Sequence, residues 1–400
     1  MKTLITHARL VLRDQVLDDG WLLIEGERIL DLGKAQTCPQ AEPGIHLVDA
    51  AGSYLLPGLI DLHCDVIEKL VEPRPGVHVD MYVALQEADL RLAGCGITTE
   101  FHALSLDDNE FGVRSENFFR DLNTYVHIMH ERLLIRHKIH ARLELTSKHG
   151  CEKGMEMMRQ GTSALVSMMD HSPGQGQYRT EQAFREYVIR TTHRTHEEVD
   201  ELLARKREQM REKPARITAL SQVAHETGIP LATHDDDTPE LIEQWHSLGV
   251  AISEFPTTME AARCAHELGL KVCMGAPNVL RGRSSGGNLS ALSAIEANIV
   301  DVLCSDYYPS AMLASVFLLA KKQYKALPEA VRMVTLHPAQ AVGIGHEYGS
   351  LEVGKIADLI QVEVSDQYRP RVQRVLVGGQ ERFSITGVRN SQVAVETITL

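Results

Sequence analysis

The spacing of apolar and polar positions divides the 400-residue chain into two kinds of segment. Both ends alternate with period two: "TLITHARLVL", "GWLLIEGERILDLG" and "GIHLVDAAGSYLLPG" occupy residues 1–56, and "GSLEVGKIADLIQVEV" and "RPRVQRVLVGGQERF" lie within 347–400. Alternation broken by turn residues is the pattern of short, half-buried strands. The two ends therefore predict one small β-sandwich domain, with everything between them inserted.

Residues 57–346 behave differently. Apolar runs alternate with segments of helical period such as "VALQEADLRLAGC" and "ELIEQWHSLG". The runs are "GLIDLHCD" (58–65), "GITTEFHAL" (96–104), "HARLEL" (140–145), "SALVSMMDH" (163–171), "PLATHD" (230–235), "AISEF" (251–255), "KVCMGA" (271–276) and "VDVLCSD" (300–306). Eight strands alternating with helices predict an α/β fold, a (β/α)8 TIM barrel. The rival, a doubly wound sheet, lacks a GxGxxG after its first strand. A charged helical insertion at about 177–219, containing "EEVDELLARKREQMREKPARI", reads first as solvated surface helices and second as a lid or dimer contact.

If the middle is a barrel, chemistry belongs at the C-terminal ends of its strands. Those ends carry metal-ligating residue types: His63 and Asp65, Glu144, His171, His234 and Asp306. Any one of them is an ordinary polar strand end, but their convergence on one rim predicts a metal centre. Imidazoles with carboxylates suit Zn, Mn or Fe. A carboxylate such as Glu144 can bridge two cations, and Asp306 is placed to take a proton from water. Cys64, between His63 and Asp65, points to the other face by strand alternation and reads as a small buried residue. The histidines at 127, 130, 137, 140, 193 and 196 lie in stretches read as helical or charged and are assigned no role.

A net charge of −13 argues against general nucleic-acid or acidic-membrane binding, but local positive charge could still take an anion. Lys69 and Arg74 follow the first strand. Arg281, Arg283, Ser284 and Asn288, in "NVLRGRSSGGN" after the seventh, could cradle phosphate with backbone N–H groups, and Tyr307 or Tyr308 could bond a phosphate oxygen. No apolar run approaches transmembrane length. The N-terminus lacks a signal-peptide pattern, and seven cysteines without CxxC spacing suggest a reducing, cytoplasmic setting.

"PGLIDLHCD", "MDHSPGQGQ", "THDD", "SDYYP" and "GSLEVGKIADLI" together resemble the amidohydrolase superfamily. More narrowly, "EKLVEPRPGV", "AGCGITTEFHALS", "LVSMMDHSPGQGQ", "ISEFPTTMEAA", "MGAPNVLRG" and "LCSDYYPSAML" resemble its phosphonate-degrading PhnM family. The resemblance implies a metal-dependent barrel with a β-sandwich from both termini, and a binuclear centre, Zn or Mn, on His63, Asp65, Glu144, His171, Asp306 and His234. It implies hydrolysis of α-D-ribose 1-methylphosphonate 5-triphosphate to 5-phosphoribosyl 1-methylphosphonate and pyrophosphate, by a homodimer in the cytoplasm. Two departures from the wider superfamily stand out: His63–Cys64–Asp65 replaces HxH, and Glu144 replaces a carboxylated lysine. An amidohydrolase cutting a C–N bond and a non-catalytic scaffold of the same fold are the alternative readings.

Overall fold

The computed structural model describes residues 2–40, 43–106, 115–170, 181–192, 194–284 and 286–385. Eight strands, Leu59–Cys64, Ile97–Leu106, Arg136–Glu144, Leu165–Met169, Leu231–His234, Ile252–Glu254, Lys271–Gly275 and Val302–Cys304, pair side by side in chain order. Each falls on one of the expected apolar runs. They are barrel strands one to eight below, and every pairing between neighbours is parallel. The second strand is buried at every position, because a parallel sheet clothed in helices is dry on both faces. That is why these segments read as runs rather than as alternation. Ile60, Leu62, Phe101, Leu165, Ala232, Ile252, Val302 and Cys304 form one core cluster drawn from most of the strands, and a larger cluster lies beneath the helices.

The barrel closes between strands eight and one at its C-terminal end. Asp306 N–H donates to the His63 carbonyl (2.8 Å), and Asp65 N–H donates to the Asp306 carbonyl (2.9 Å). At the other end, residues 333 and 334 fill the seam, their carbonyls accepting from Leu303 and Ile60 N–H. The predicted ligands on strands one and eight are thus held by the backbone bonds that close the barrel.

Strands from both ends of the chain build a second, branched sheet. Lys2–Val11, Val16–Glu25, Arg28–Lys34, Ile45–Asp49 and Tyr54–Pro57 are joined by Leu359–Val364, Pro370–Val377 and Gln380–Ser384. The junction is the antiparallel pairing of Tyr54–Pro57 with Leu359–Val364. The expected sandwich is one continuous sheet whose N- and C-terminal parts share a core of Ile5, Leu10, Leu22, Ile24, Leu55, Leu359 and Leu376. Gly58 is the hinge into barrel strand one. A Cβ there would lie 2.2 Å from Thr98 Oγ1, so only glycine lets the chain pass so close.

The charged insertion contains helices Glu181–Thr192 and His196–Gln209, followed by Lys213–Thr227. Val188, Val199, Leu202 and Leu203 make a small separate core. Arg185 pairs with Glu181 and Asp200, and Arg207 with Glu181. The insertion is thus helical, and the pair is stapled by its own apolar contact and ion pairs.

Candidate metal centre at the closing end of the barrel

His63 ends strand one, is buried, and directs Nδ1 at Glu254 Oε1 on strand six (3.1 Å). Its ring meets those of His140 (centroids 5.2 Å apart, 86°), His234 (5.5 Å) and Phe255 (4.9 Å). Burial first, then the nearby charges of Arg142 and His234, hold the His63 imidazole well below its ordinary pKa. His140, on strand three, is pushed down to about 3, mainly by burial. Both rings are therefore neutral, as metal-ligating imidazoles must be.

Proton counting sharpens the picture. His140 Nδ1 donates to the Leu62 carbonyl (2.8 Å), so its Nε2 is an acceptor. The Ser167 hydroxyl lies 2.5 Å from that Nε2 and 2.6 Å from Glu254 Oε2. One hydroxyl proton faces two acceptors. A cation, or a further proton on His140 or Glu254, would relieve that contact. Atoms of His63, His140 and Glu254 that could bind an ion lie within 4.8 Å of one another. Two neutral imidazoles and a carboxylate fit a Zn- or Mn-type ion.

A second group rims this one. Asp306 is mostly buried, and its carboxyl is raised to about 7. Burial is the largest cause, the Asp65 and Asp235 carboxylates add to it, and the Arg142 guanidinium opposes it. Arg142 Nη2 donates to His234 Nε2 (3.2 Å), and His234 Nδ1 lies 3.0 Å from Asp235 Oδ2. Asp235, Phe255 and Asp306 follow the ends of strands five, six and eight, and all three have positive φ (60°, 53° and 58°). Left-handed backbone costs non-glycine residues on the order of 1–3 kcal/mol and clusters at functional sites. Here it turns three of the strand ends around one space.

Supporting bonds hold both groups. Asp61 Oδ1 accepts from Ser305 N–H (3.0 Å) and His63 N–H (3.3 Å), tying strand eight to strand one. Asp236 accepts from Thr233 Oγ1, Ser253 Oγ and Trp245 Nε1. In "THDDD" the second aspartate is therefore structural, while the first faces the site.

Of the predicted residues, His63, Asp65, His234 and Asp306 come together at the rim. Glu144 ends strand three, buried, with Oε1 accepting from Thr146 Oγ1 (2.9 Å). The carboxylate that meets His63 is Glu254's. His171 lies outside the described residues. Lys69, Arg74, Arg281 and Arg283 are exposed on the segments that follow strands one and seven, and among the described residues they make no ion pair. Ser284 Oγ accepts from Gly286 N–H (3.3 Å), Asn288 is half-buried, and Tyr307 is exposed beside Asp306. Cys64 is fully buried in the outer core, where burial raises its thiol well above the ordinary range.

The dismissal of His137 and His140 is corrected. Both sit on strand three, not on a helix, and both are buried. His140 belongs to the centre. His137 bridges His102 (2.8 Å) and Asp89 (3.1 Å) outside it. Glu254, Ser167 and Arg142 were also missed. His140, Arg142 and Glu144 alternate in "HARLEL", a period-two polar face that marks all three as neighbours.

A closed parallel barrel whose C-terminal rim gathers imidazoles, carboxylates and a near-neutral aspartate defines a barrel hydrolase of the metal-dependent class. The chain belongs to the amidohydrolase family, whose profile matches residues 54–388. It is 34% identical over 378 residues to the alpha-D-ribose 1-methylphosphonate 5-triphosphate diphosphatase of Escherichia coli, covering 91% of this chain and 96% of that protein. An imidazolonepropionase of Pseudomonas fluorescens is 23% identical, with 98% and 100% covered. Among solved structures, the N-isopropylammelide isopropylaminohydrolase of Burkholderia multivorans shares the fold, with a TM-score of 0.65, 19% identity, and 95% and 98% covered. No helix among the described residues is long and apolar enough to cross a membrane.

Proposed function

We propose that this chain hydrolyses α-D-ribose 1-methylphosphonate 5-triphosphate to 5-phosphoribosyl 1-methylphosphonate and pyrophosphate. The observation that carries the reading is the near full-length 34% identity to the diphosphatase, and the rim chemistry supports it. His63, His140 and Glu254 form one candidate ligand set. Asp65, His234 and Asp306, with Glu144 and His171 from the family resemblance, complete a site for two divalent ions. Zn or Mn held there lowers the pKa of a water and polarises a phosphoryl oxygen.

The chain's own residues do the rest. Asp306, its carboxyl raised in the metal-free chain by burial and the Asp65 carboxylate, is the general base. It takes the proton of the attacking water, whose oxygen bonds the α-phosphorus as the α–β P–O bond breaks and pyrophosphate leaves. Lys69, Arg74, Arg281 and Arg283 supply positive charge to the departing group. Ser284, Asn288 and Tyr307 offer hydrogen bonds to the phosphates. Four cations without an ion pair among the described residues, on segments that follow strands one and seven, disfavour a neutral amide substrate, the C–N alternative. A cytoplasmic homodimer is the proposed setting.

The test is pyrophosphate release from the triphosphate by protein treated with chelator and then resupplied with Mn. Restored release supports the reading. Ring opening of cyclic amides, or ammonia release by deamination, without pyrophosphate release sinks it.

A further inference from the structure

Arg142 is a permanently charged element of the rim that the proposed chemistry leaves without a task. Its side chain comes from strand three and is only 9% exposed, and arginine keeps its charge at any working pH. Nη2 donates to His234 Nε2 (3.2 Å), while the buried Nε–H has no acceptor among the described residues. A guanidinium only donates, so this bond uses the His234 Nε2 lone pair. A divalent cation bound by His234 through Nε2 would need the same lone pair. Arg142 and a cation therefore compete for one nitrogen, and they repel each other across a buried site. A released guanidinium with an already unsatisfied N–H requires an anion, and its fork matches two phosphoryl oxygens.

We infer that Arg142 is a substrate-binding residue that exchanges His234 for a phosphoryl group when a cation takes His234, so that cation and phosphate bind cooperatively. This rests on the triphosphate reading and assigns the part of the site that makes it selective for a phosphorylated substrate. With a neutral substrate, the displaced guanidinium would be left to the neighbouring Asp306 carboxylate, in competition with the cation.

The experiment measures Mn2+ affinity by electron paramagnetic resonance at fixed free Mn2+, with and without millimolar inorganic phosphate, a weak chelator. The wild type is compared with Arg142→Met and Arg142→Lys, each checked by circular dichroism and melting. In wild type, phosphate should tighten Mn2+ binding by about tenfold, the scale of one charge-assisted hydrogen bond. Arg142→Met should bind Mn2+ about tenfold more tightly without phosphate and show no phosphate effect. Arg142→Lys, which folds with the charge in place, should keep weak Mn2+ binding and part of the coupling. Coupling that survives in Arg142→Met, or Mn2+ affinity unchanged by that substitution, overturns the inference. Turnover of the triphosphate is scored separately. Coupling without turnover leaves Arg142 as assigned and refutes the substrate, whereas turnover without coupling refutes the role of Arg142 alone.

Discussion

Asp306→Asn should stabilise the metal-free protein while abolishing its turnover. The Asp306 carboxyl is raised from 3.8 to about 7 by burial and by the Asp65 and Asp235 carboxylates. Between those values the folded chain holds a proton that the unfolded chain releases, so stability falls as pH rises through this window. Below about 4 both states are protonated and no penalty applies, and above about 7 the penalty is complete. At about 1.4 kcal/mol per pH unit the interval amounts to about 4 kcal/mol at pH 8, and about 1.5 kcal/mol at pH 5. Asparagine is the neutral isostere and escapes both. Urea unfolding in excess chelator, at pH 5 and pH 8, should show a variant more stable than wild type, with the gap growing by 2–3 kcal/mol, roughly, between the two pH values. A gap that is absent, or constant with pH, would show that Asp306 does not carry the raised carboxyl and is not tuned as a base.

Three further outcomes follow from the same geometry. Gly58→Ala drives a Cβ into Thr98 and should cost about 1–3 kcal/mol in thermal or urea unfolding; Gly58→Ala with Thr98→Ala, which removes Oγ1 and Cγ2 but keeps a Cβ at 2.8 Å, should recover part of it. Arg281→Ala with Arg283→Ala removes two exposed cations and should raise KM for the triphosphate about ten- to hundredfold, with Mn2+ affinity unchanged in titrations. Cys64→Ala, in the buried outer core, should cost about 1 kcal/mol of stability and leave kcat and metal content unchanged, because the thiol faces away from the centre.

How much of this was legible in sequence differs by element. The eight barrel strands were visible because a parallel strand buried on both faces leaves an unbroken apolar run, as "GLIDLHCD" and "VDVLCSD" show. His63, Asp65, His234 and Asp306 were visible because a polar residue at the end of such a run is conspicuous. The partners of those residues were harder to see. Glu254 meets His63 across 191 positions, a contact that only barrel closure creates, and "AISEF" hides its glutamate as an unremarkable strand end. His140 and Arg142 were passed over because "HARLEL" was counted for its last residue alone. Its alternation already placed three polar side chains on one face. The positive φ of Asp235, Phe255 and Asp306 leaves no trace in their residue types. Neither does the single Ser167 proton shared between two acceptors.

The central claim is hydrolysis of one phosphoanhydride at the rim of His63, Glu254 and Asp306. A single turnover of α-D-ribose 1-methylphosphonate 5-triphosphate in oxygen-18 water, with Mn present, tests it most directly by mass analysis of the products. The account predicts pyrophosphate without label and 5-phosphoribosyl 1-methylphosphonate carrying one labelled oxygen on its 5-phosphate. Label in pyrophosphate, release of orthophosphate in its place, or no reaction at all would contradict it.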